Sequence, residues 1–367
     1  MFSKIFKLHN LNFFYFVVLS MASSKIYGFS GNILSVLLFV FLLTFQLFFN
    51  PKIQKYYYLT LLYICVFCSF RILFGYSSII FETLYFSFFS IVSYFYSKSI
   101  SEFKLFKFIN FILFLHLFIS IYSLYDGNIF GLVTLPVFEL YDIKLFSGTF
   151  GNPNNNGFLF ILIQFLLVIK FKSIHKFQEL ICLICIFISG SRYFLIVSLL
   201  LFCFTLSKRH LFYSLLAVVG FTLILYQYVI EFVPVYSLKK LNSFTSDMIS
   251  NSGSKRVDFL FKFFKLEWFP FGVSNSKLIS SAYKNSHSLL IDFSFIFGLF
   301  GFLLIIYIYI NIYKSSVKFN HLSKFKAGFI TILLFTCGFI PSSIIYSPFY
   351  FILFGFLSNH ENKDLIN

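Results

Sequence analysis

A few polar side chains in an otherwise apolar chain have the types and spacing to do chemistry. Most lie at or near the stretch from Asn251 to Gly301, which carries a cationic cluster, the only tryptophan (Trp268) and a lone histidine, His287, just before an apolar run. An imidazole can take and release a proton near neutral pH. Alternatively, His287 is simply a polar residue at a helix start. Arg192 and Arg71 sit at the margins of apolar runs. An arginine there either snorkels its head to water or holds a functional position. Within the loop, Lys255, Asp258, Lys262 and Lys265 recur at helical spacing among phenylalanines. That pattern predicts an amphipathic helix lying in a membrane interface, with Asp258 and Lys262 paired at i,i+4. Arg256 falls at its start and off the lysine face, free to point inward or to solvent. Asp292, five residues after His287, is expected to pack or orient the helix. The stretch reads as a binding loop for an anionic, lipid-linked substrate.

A second segment, Gly148-Thr-Phe-Gly151-Asn152-Pro153-Asn154, precedes another apolar run. Asn152 suits a helix N-cap and Pro153 the first turn. Exposed amides and backbone N–H groups at such a start can also hold sugar hydroxyls or phosphate. Ser189-Gly-Ser191-Arg192 is a tight turn between two short apolar runs. Cys65/Cys68 and Cys182/Cys185 lie inside apolar runs without a neighbouring histidine, so they read as packing residues.

These residues need a scaffold, and composition defines it. The chain has 367 residues, 59% hydrophobic and 11% charged, with a mean hydropathy of +0.87. Soluble domains carry about a quarter charged residues, so a polytopic, all-α membrane protein is expected. Twelve spans are placed, at 11–28, 31–49, 56–75, 78–97, 105–125, 153–171, 177–190, 193–207, 211–232, 287–313, 325–341 and 344–358. The first is read as a retained helix, not a cleaved leader. The net charge of +16 does not indicate nucleic acid, because the lysines cluster between apolar runs. Seventeen Lys and Arg fall in the short loops and span ends of one side and four (Lys25, Arg71, Lys144, Arg192) on the other. The rich side is then cytoplasmic, with both termini inside. The segments 126–152 and 233–286 and the serine–arginine turn all lie outside.

Several function classes are excluded. There is no Walker A, HExxH or GxSxG motif, and no aspartate pair suited to a nucleotide-sugar metal site. An external site has no nucleotide supply, so the substrate must carry its own activation, as a lipid diphosphate does. A flippase for such a lipid is the expectation from another class. It is disfavoured by the lack of an internal repeat or of broken helices in matching halves.

Taken in order, the motifs resemble the O-antigen ligase/polymerase superfamily of bacterial envelope proteins. The chain shows Gly148…Asn152-Pro153-Asn154, then Ser191-Arg192, then Ser252-Gly253-Ser-Lys-Arg256. Phe271-Gly272-Val273 and His287…Gly298-Leu-Phe-Gly301 follow. It departs in the stretched Ser-Gly-Ser-Lys-Arg segment, in Ser288 where asparagine is usual, and in Ile296 where an acid is common. The resemblance covers essentially the whole chain. It implies a single membrane domain over 1–367 with a GT-C-like fold and a ligase-like core over 178–313. The implied reaction is inverting and uses neither metal nor cofactor. It transfers a glycan from an undecaprenyl-diphosphate carrier to an acceptor sugar hydroxyl on the external face of the inner membrane. Arg192 and Arg256 would bind the diphosphate through bidentate forks and His287 would act as general base. Asn152, Asn154, Ser191 and Arg71 would contact substrate. Besides the donor, the acceptor glycan and the bilayer, the implied partners are a chain-length regulator and a flippase. Polymerase is expected ahead of ligase, which would move finished polymer to lipid A–core.

Overall fold

Asn152 and Pro153 start a helix that is enclosed along nearly its whole length. In the computed structural model Asn152 is extended (φ −148°, ψ 126°) and its side chain accepts the Asn154 N–H at 2.8 Å. Pro153 occupies the first turn, where no N–H is needed. Every residue of this helix from Asn155 to Lys170 is buried. A helix apolar all round belongs at a centre, and the others are arranged about it.

The structure describes residues 8–21, 25–26, 29–30, 62, 66, 69, 80–100, 104–123, 128–129, 133–134, 139–140, 143–144, 146, 148–150, 152–171, 176–189, 191–204, 258–273, 288–318, 322–339 and 348–359. These are mostly helical. In chain order the helices are α1 (Leu8–Ser20), α2 (Ile80–Ser99), α3 (Leu105–Tyr122), α4 (Pro153–Lys170), α5 (Lys176–Ile188), α6 (Arg192–Phe204), α7 (Leu289–Lys318), α8 (Lys324–Cys337) and α9 (Pro348–Ser358). Each coincides with an expected span. The spans expected at 31–49, 56–75 and 211–232 lie outside the described residues apart from positions 62, 66 and 69. Two helices, α3 and α7, are long and apolar enough to cross a membrane. Helix α9, buried along its whole length, packs against α1, α2, α4 and α7. The cysteines Cys182, Cys185 and Cys337 are buried and unpaired.

The first span is shorter than expected. Helix α1 ends at Ser20, and Lys25–Ile26 is a two-residue strand (β1) paired antiparallel with β2 (Phe29–Ser30) and with β4 (Val133–Thr134). β3 (Asn128–Ile129) completes a sheet of order β2-β1-β4-β3, and β5 (Glu139–Leu140) pairs with β6 (Ile143–Lys144). A polar lysine beside glycine and serine favours a hairpin over a further helical turn. The described parts of the 126–152 connection thus include short paired strands, and β4 joins it to the segment after α1.

Hydrogen bonds sort the helix ends into two groups. At one end Thr149 donates to Ser20 O (3.0 Å), Asn156 Nδ2 to Ser120 Oγ (2.9 Å) and Tyr350 Oη to Asn155 O (2.8 Å). At the opposite end Lys98 Nζ reaches Asn311 Oδ1 and Tyr307 Oη, each at 3.0 Å. Beside it the buried Lys170 Nζ donates to Ser315 Oγ and Asn359 O, each at 2.6 Å. Between the ends, Gln164 Nε2 donates to Ser198 O at 3.1 Å and ties α4 to α6. Helices α1 and α3 thus end, and α4 and α9 start, at the first end, whereas α2, α4 and α9 finish at the other.

Lys170 satisfies acceptors on two other elements from inside the bundle. Lys170→Ala removes both bonds and leaves Ser315 Oγ donating to Asn359 O (3.0 Å), at a cost of about 1–3 kcal/mol. The expected result is a lower melting temperature in detergent with membrane insertion retained; an unchanged melting temperature would remove Lys170 from the list of structural ties.

Candidate functional site

The unusual motifs collect at the end marked by Thr149, Asn156 and Tyr350. A one-turn 3₁₀ helix over Gly148–Phe150 leads into α4. Gly148 has φ +55°, and a Cβ there would lie 2.7 Å from Asn156 Oδ1 and 2.9 Å from Ser120 Oγ. Only glycine accepts both the left-handed backbone and that approach. Asn156 is buried and also donates to Phe146 O at 3.2 Å. One turn on, a Cβ at Gly157 would meet Ser189 Oγ at 2.7 Å, and the Phe158 and Phe194 rings lie 5.8 Å apart. The first turns of α4, through Gly157 and Phe158, thus pack on Ser189 and Phe194 on either side of the serine–arginine turn.

The expected site residues fall as follows. Asn152 caps α4, and both its side chain and that of Asn154 are half-buried. Ser191 is buried, and its carbonyl accepts from Leu195 N at 3.0 Å, the first bond of α6. Arg192 is the first residue of α6, and only its backbone is described. Arg71, Arg256 and His287 lie outside the described residues. Asp292 is buried in the first turn of α7.

A second pair of motifs also meets. Helix α7 is not the single straight span expected over 287–313. It breaks at Gly298 (φ 60°, ψ −139°), and the two arms fold back on one another. A Cβ at Gly301 would sit 2.1 Å from the Phe293 carbonyl oxygen. A continuous helix would separate residues 293 and 301 by about 12 Å. The break frees backbone groups, and the segment 270–273 takes them: Val273 N donates to Phe295 O (2.7 Å) and Leu299 N to Pro270 O (2.9 Å). Gly272 (φ 89°) fits because a Cβ there would lie 2.6 Å from Ile296 O. The Phe-Gly-Val element and the Gly-x-x-Gly element are therefore the two sides of one joint.

The chain before this joint is a short helix over 258–264, with Asp258 and Lys262 paired at 3.0 Å as expected. Leu266 turns left-handed (φ 56°), so the helix is shorter than the expected amphipathic pattern. Trp268 lies under it, stacked between Phe263 (5.4 Å, 15°) and Phe302 of the lower arm (5.5 Å, 23°). Its Nε1 donates to Phe263 O at 2.8 Å. Leu260, Phe261, Phe264 and Leu266 face outward, as a helix lying in an interface requires.

One residue escaped the reading from sequence. His116 of α3 is fully buried, stacked on Phe150 (5.7 Å, 18°) and Phe349 (6.3 Å, 23°), and neither ring nitrogen has a hydrogen-bond partner. The signal was present: it is the one ionisable side chain between Phe108 and Tyr122, and such residues inside spans are rare. It pins the 3₁₀ helix and α9 to α3.

Among the described residues no three His, Cys, Asp or Glu side chains gather as metal ligands. No family model, curated protein or solved structure matches the chain.

A methyl group at position 298 would collide with Pro270 O at 2.0 Å. Gly298→Ala is therefore expected to part the segment 268–273 from α7 and unstack Trp268. As the sole tryptophan, it reports this directly: its emission in purified protein should shift to longer wavelength. Wild-type emission from the variant would show that the joint tolerates the methyl.

Proposed function

We propose that this chain is a twelve-span, GT-C-like glycosyltransferase of the bacterial inner membrane, and specifically a polymerase of surface polysaccharide repeats. Both termini are cytoplasmic and the site faces outward. The donor is an oligosaccharide on undecaprenyl diphosphate, the acceptor is a sugar hydroxyl of another glycan, and a flippase and a chain-length regulator work alongside. The observation that carries the reading is the meeting of separated motifs in the fold. Gly157, just after the asparagine run, packs on Ser189 beside the serine–arginine turn, and Pro270–Val273 locks into the break at Gly298. Residues remote in sequence that converge at one end of a bundle suit a shared task better than four independent turns do.

In this reading the acceptor oxygen attacks the anomeric carbon as the bond to the diphosphate oxygen breaks, inverting that carbon. His287 takes the acceptor proton. Arg192 and Arg256 meet the negative charge that develops on the leaving diphosphate, where fixed donors are most effective. Asn152, Asn154, Ser191 and Arg71 line the approach. No cofactor is required, because the diphosphate ester is already activated.

His287→Ala and Arg192→Ala should each lower chain extension by about 100-fold or more, at unchanged membrane abundance. The check is gel analysis of surface polysaccharide from a deletion strain carrying wild type or each variant. A single-repeat product in the variants supports a polymerase, and lipid-linked polymer that accumulates instead points to a ligase. A full ladder from both variants would defeat the assignment.

A further inference from the structure

The lower arm of α7, 299–318, turns one face outward, and that face changes character along its length. Phe300, Leu303, Tyr307 and Ile310 are exposed on it, and the next positions at the same helical spacing are Lys314 and Lys318, also exposed. Residues three and four apart share a face, so these form one stripe. Its apolar part, from Phe300 to Ile310, spans about 15 Å, the depth of one leaflet of a bilayer whose apolar core is about 30 Å thick. Its basic part lies at the lysine-rich end of the bundle, opposite the group of Thr149, Asn156 and Tyr350.

A third lysine reaches the same place from α2 and is held there. Lys98 is half-buried, and its Nζ donates to Tyr307 Oη and Asn311 Oδ1, each at 3.0 Å. Asn311 is itself oriented, because its Nδ2 donates to Tyr307 O at 2.7 Å. The ammonium also lies 4.8 Å from the centroid of the Tyr307 ring. A lysine that merely snorkels needs no such seat, and fixing its long side chain costs conformational entropy. Among the described residues no carboxylate pairs with Lys98, Lys314 or Lys318. An ammonium carries three protons, so the two bonds of Lys98 leave one for a further acceptor. The seat therefore presents an unneutralised positive charge where the apolar stripe meets its basic end.

We propose that this face, the lower arm of α7 together with Lys98, binds an anionic phospholipid, with the headgroup phosphate on Lys98 and Lys314 and an acyl chain along Phe300–Ile310. A phosphate accepts from two ammonium groups at once, and clustered lysines beside a membrane span suit an anionic headgroup. The chain supplies the cover that the stripe lacks. A zwitterionic lipid brings its own cation and gains less. In the proposed transferase the donor diphosphate binds at the other end of the bundle, so this lipid is a different ligand. Its binding requires that α7 lie in a bilayer and does not depend on the transferase chemistry.

The test uses purified full-length protein in a neutral detergent, titrated with dioleoylphosphatidylglycerol or dioleoylphosphatidylcholine while its melting temperature is followed. The anionic lipid is expected to raise the melting temperature at a mole fraction at which the zwitterionic lipid does not. Lys98→Gln and Lys314→Gln should each raise the half-saturating mole fraction about fivefold, and Lys98→Arg should restore it. Lys107→Gln, which removes an exposed lysine of α3 at the same end, should leave it unchanged. The two lipids are compared within each variant, so a lower starting melting temperature in Lys98→Gln does not obscure the response, and native Trp268 emission shows that its fold holds. Equal stabilisation by both lipids, or a Lys98→Gln response like that of wild type, overturns the site. An equal shift from glycerol phosphate alone also overturns it, since the acyl chain would then have no role. The titration contains no glycan, so none of these outcomes turns on the glycosyltransferase reading.

Discussion

An interrupted helix must hand its freed backbone groups to something, and in a buried interior water does not supply the partners. That constraint shapes this molecule around Gly298. Phe295 O and Leu299 N lose their helical partners there, and Val273 N and Pro270 O replace them. The replacement works only because Gly272 and Gly298 both take left-handed backbone conformations with no side chain between them. The loop before the joint is consequently fixed in place, and Trp268 fills the space beneath it. Without that segment, the upper arm would present bare amides and carbonyls to an apolar interior.

The polar groups of the bundle are divided by depth and by partner. At the end marked by Ser315, lysines serve as internal clamps: Lys170 and Lys98 donate to hydroxyl, amide and carbonyl oxygens on other helices. At the other end the ties are neutral, made by asparagine, serine, threonine and tyrosine. A charged clamp is strong and fixed. Neutral ties are weaker and can exchange with a hydroxylated ligand at modest cost, since amide and hydroxyl groups trade hydrogen-bond partners readily.

How much of this could be read from residues alone depends on the kind of feature. Long apolar runs located nine helices, to within a few residues at most ends, because an unbroken apolar run marks a buried helix; α1 is the exception, ending at Ser20 instead of near 28. The Asn152 cap and the Asp258–Lys262 pair were also legible, being local. The strand at Lys25–Ile26 was not, because its partner Val133–Thr134 lies more than a hundred residues away. The fold-back at Gly298 was hidden for a different reason: hydropathy records how apolar a run is and says nothing of its direction, so two buried arms read as one span. His116 was passed over because a single imidazole barely changes the average of its run. Of the candidate site, the packing of Gly157 on Ser189 and the joint of Pro270–Val273 with the break at Gly298 were not legible, because each depends on how segments distant in sequence meet.

Helix α9 is the last described element in the chain, yet it sits at the centre, against α1, α2, α4 and α7. Helix α4, its neighbour, carries Asn155, Asn156, Gln164 and Lys170, all buried. Such a segment is poorly suited to face lipid on its own. During synthesis α4 leaves the ribosome almost two hundred residues before the helix that covers it. Its polar flank must therefore be sheltered by α5 and α6, or by the insertion machinery, until Pro348–Ser358 arrives. Assembly of this bundle is in that sense keyed from the C-terminal side: the interior closes when the final helix docks, and a ribosome that stops short of it leaves a protein with an open middle.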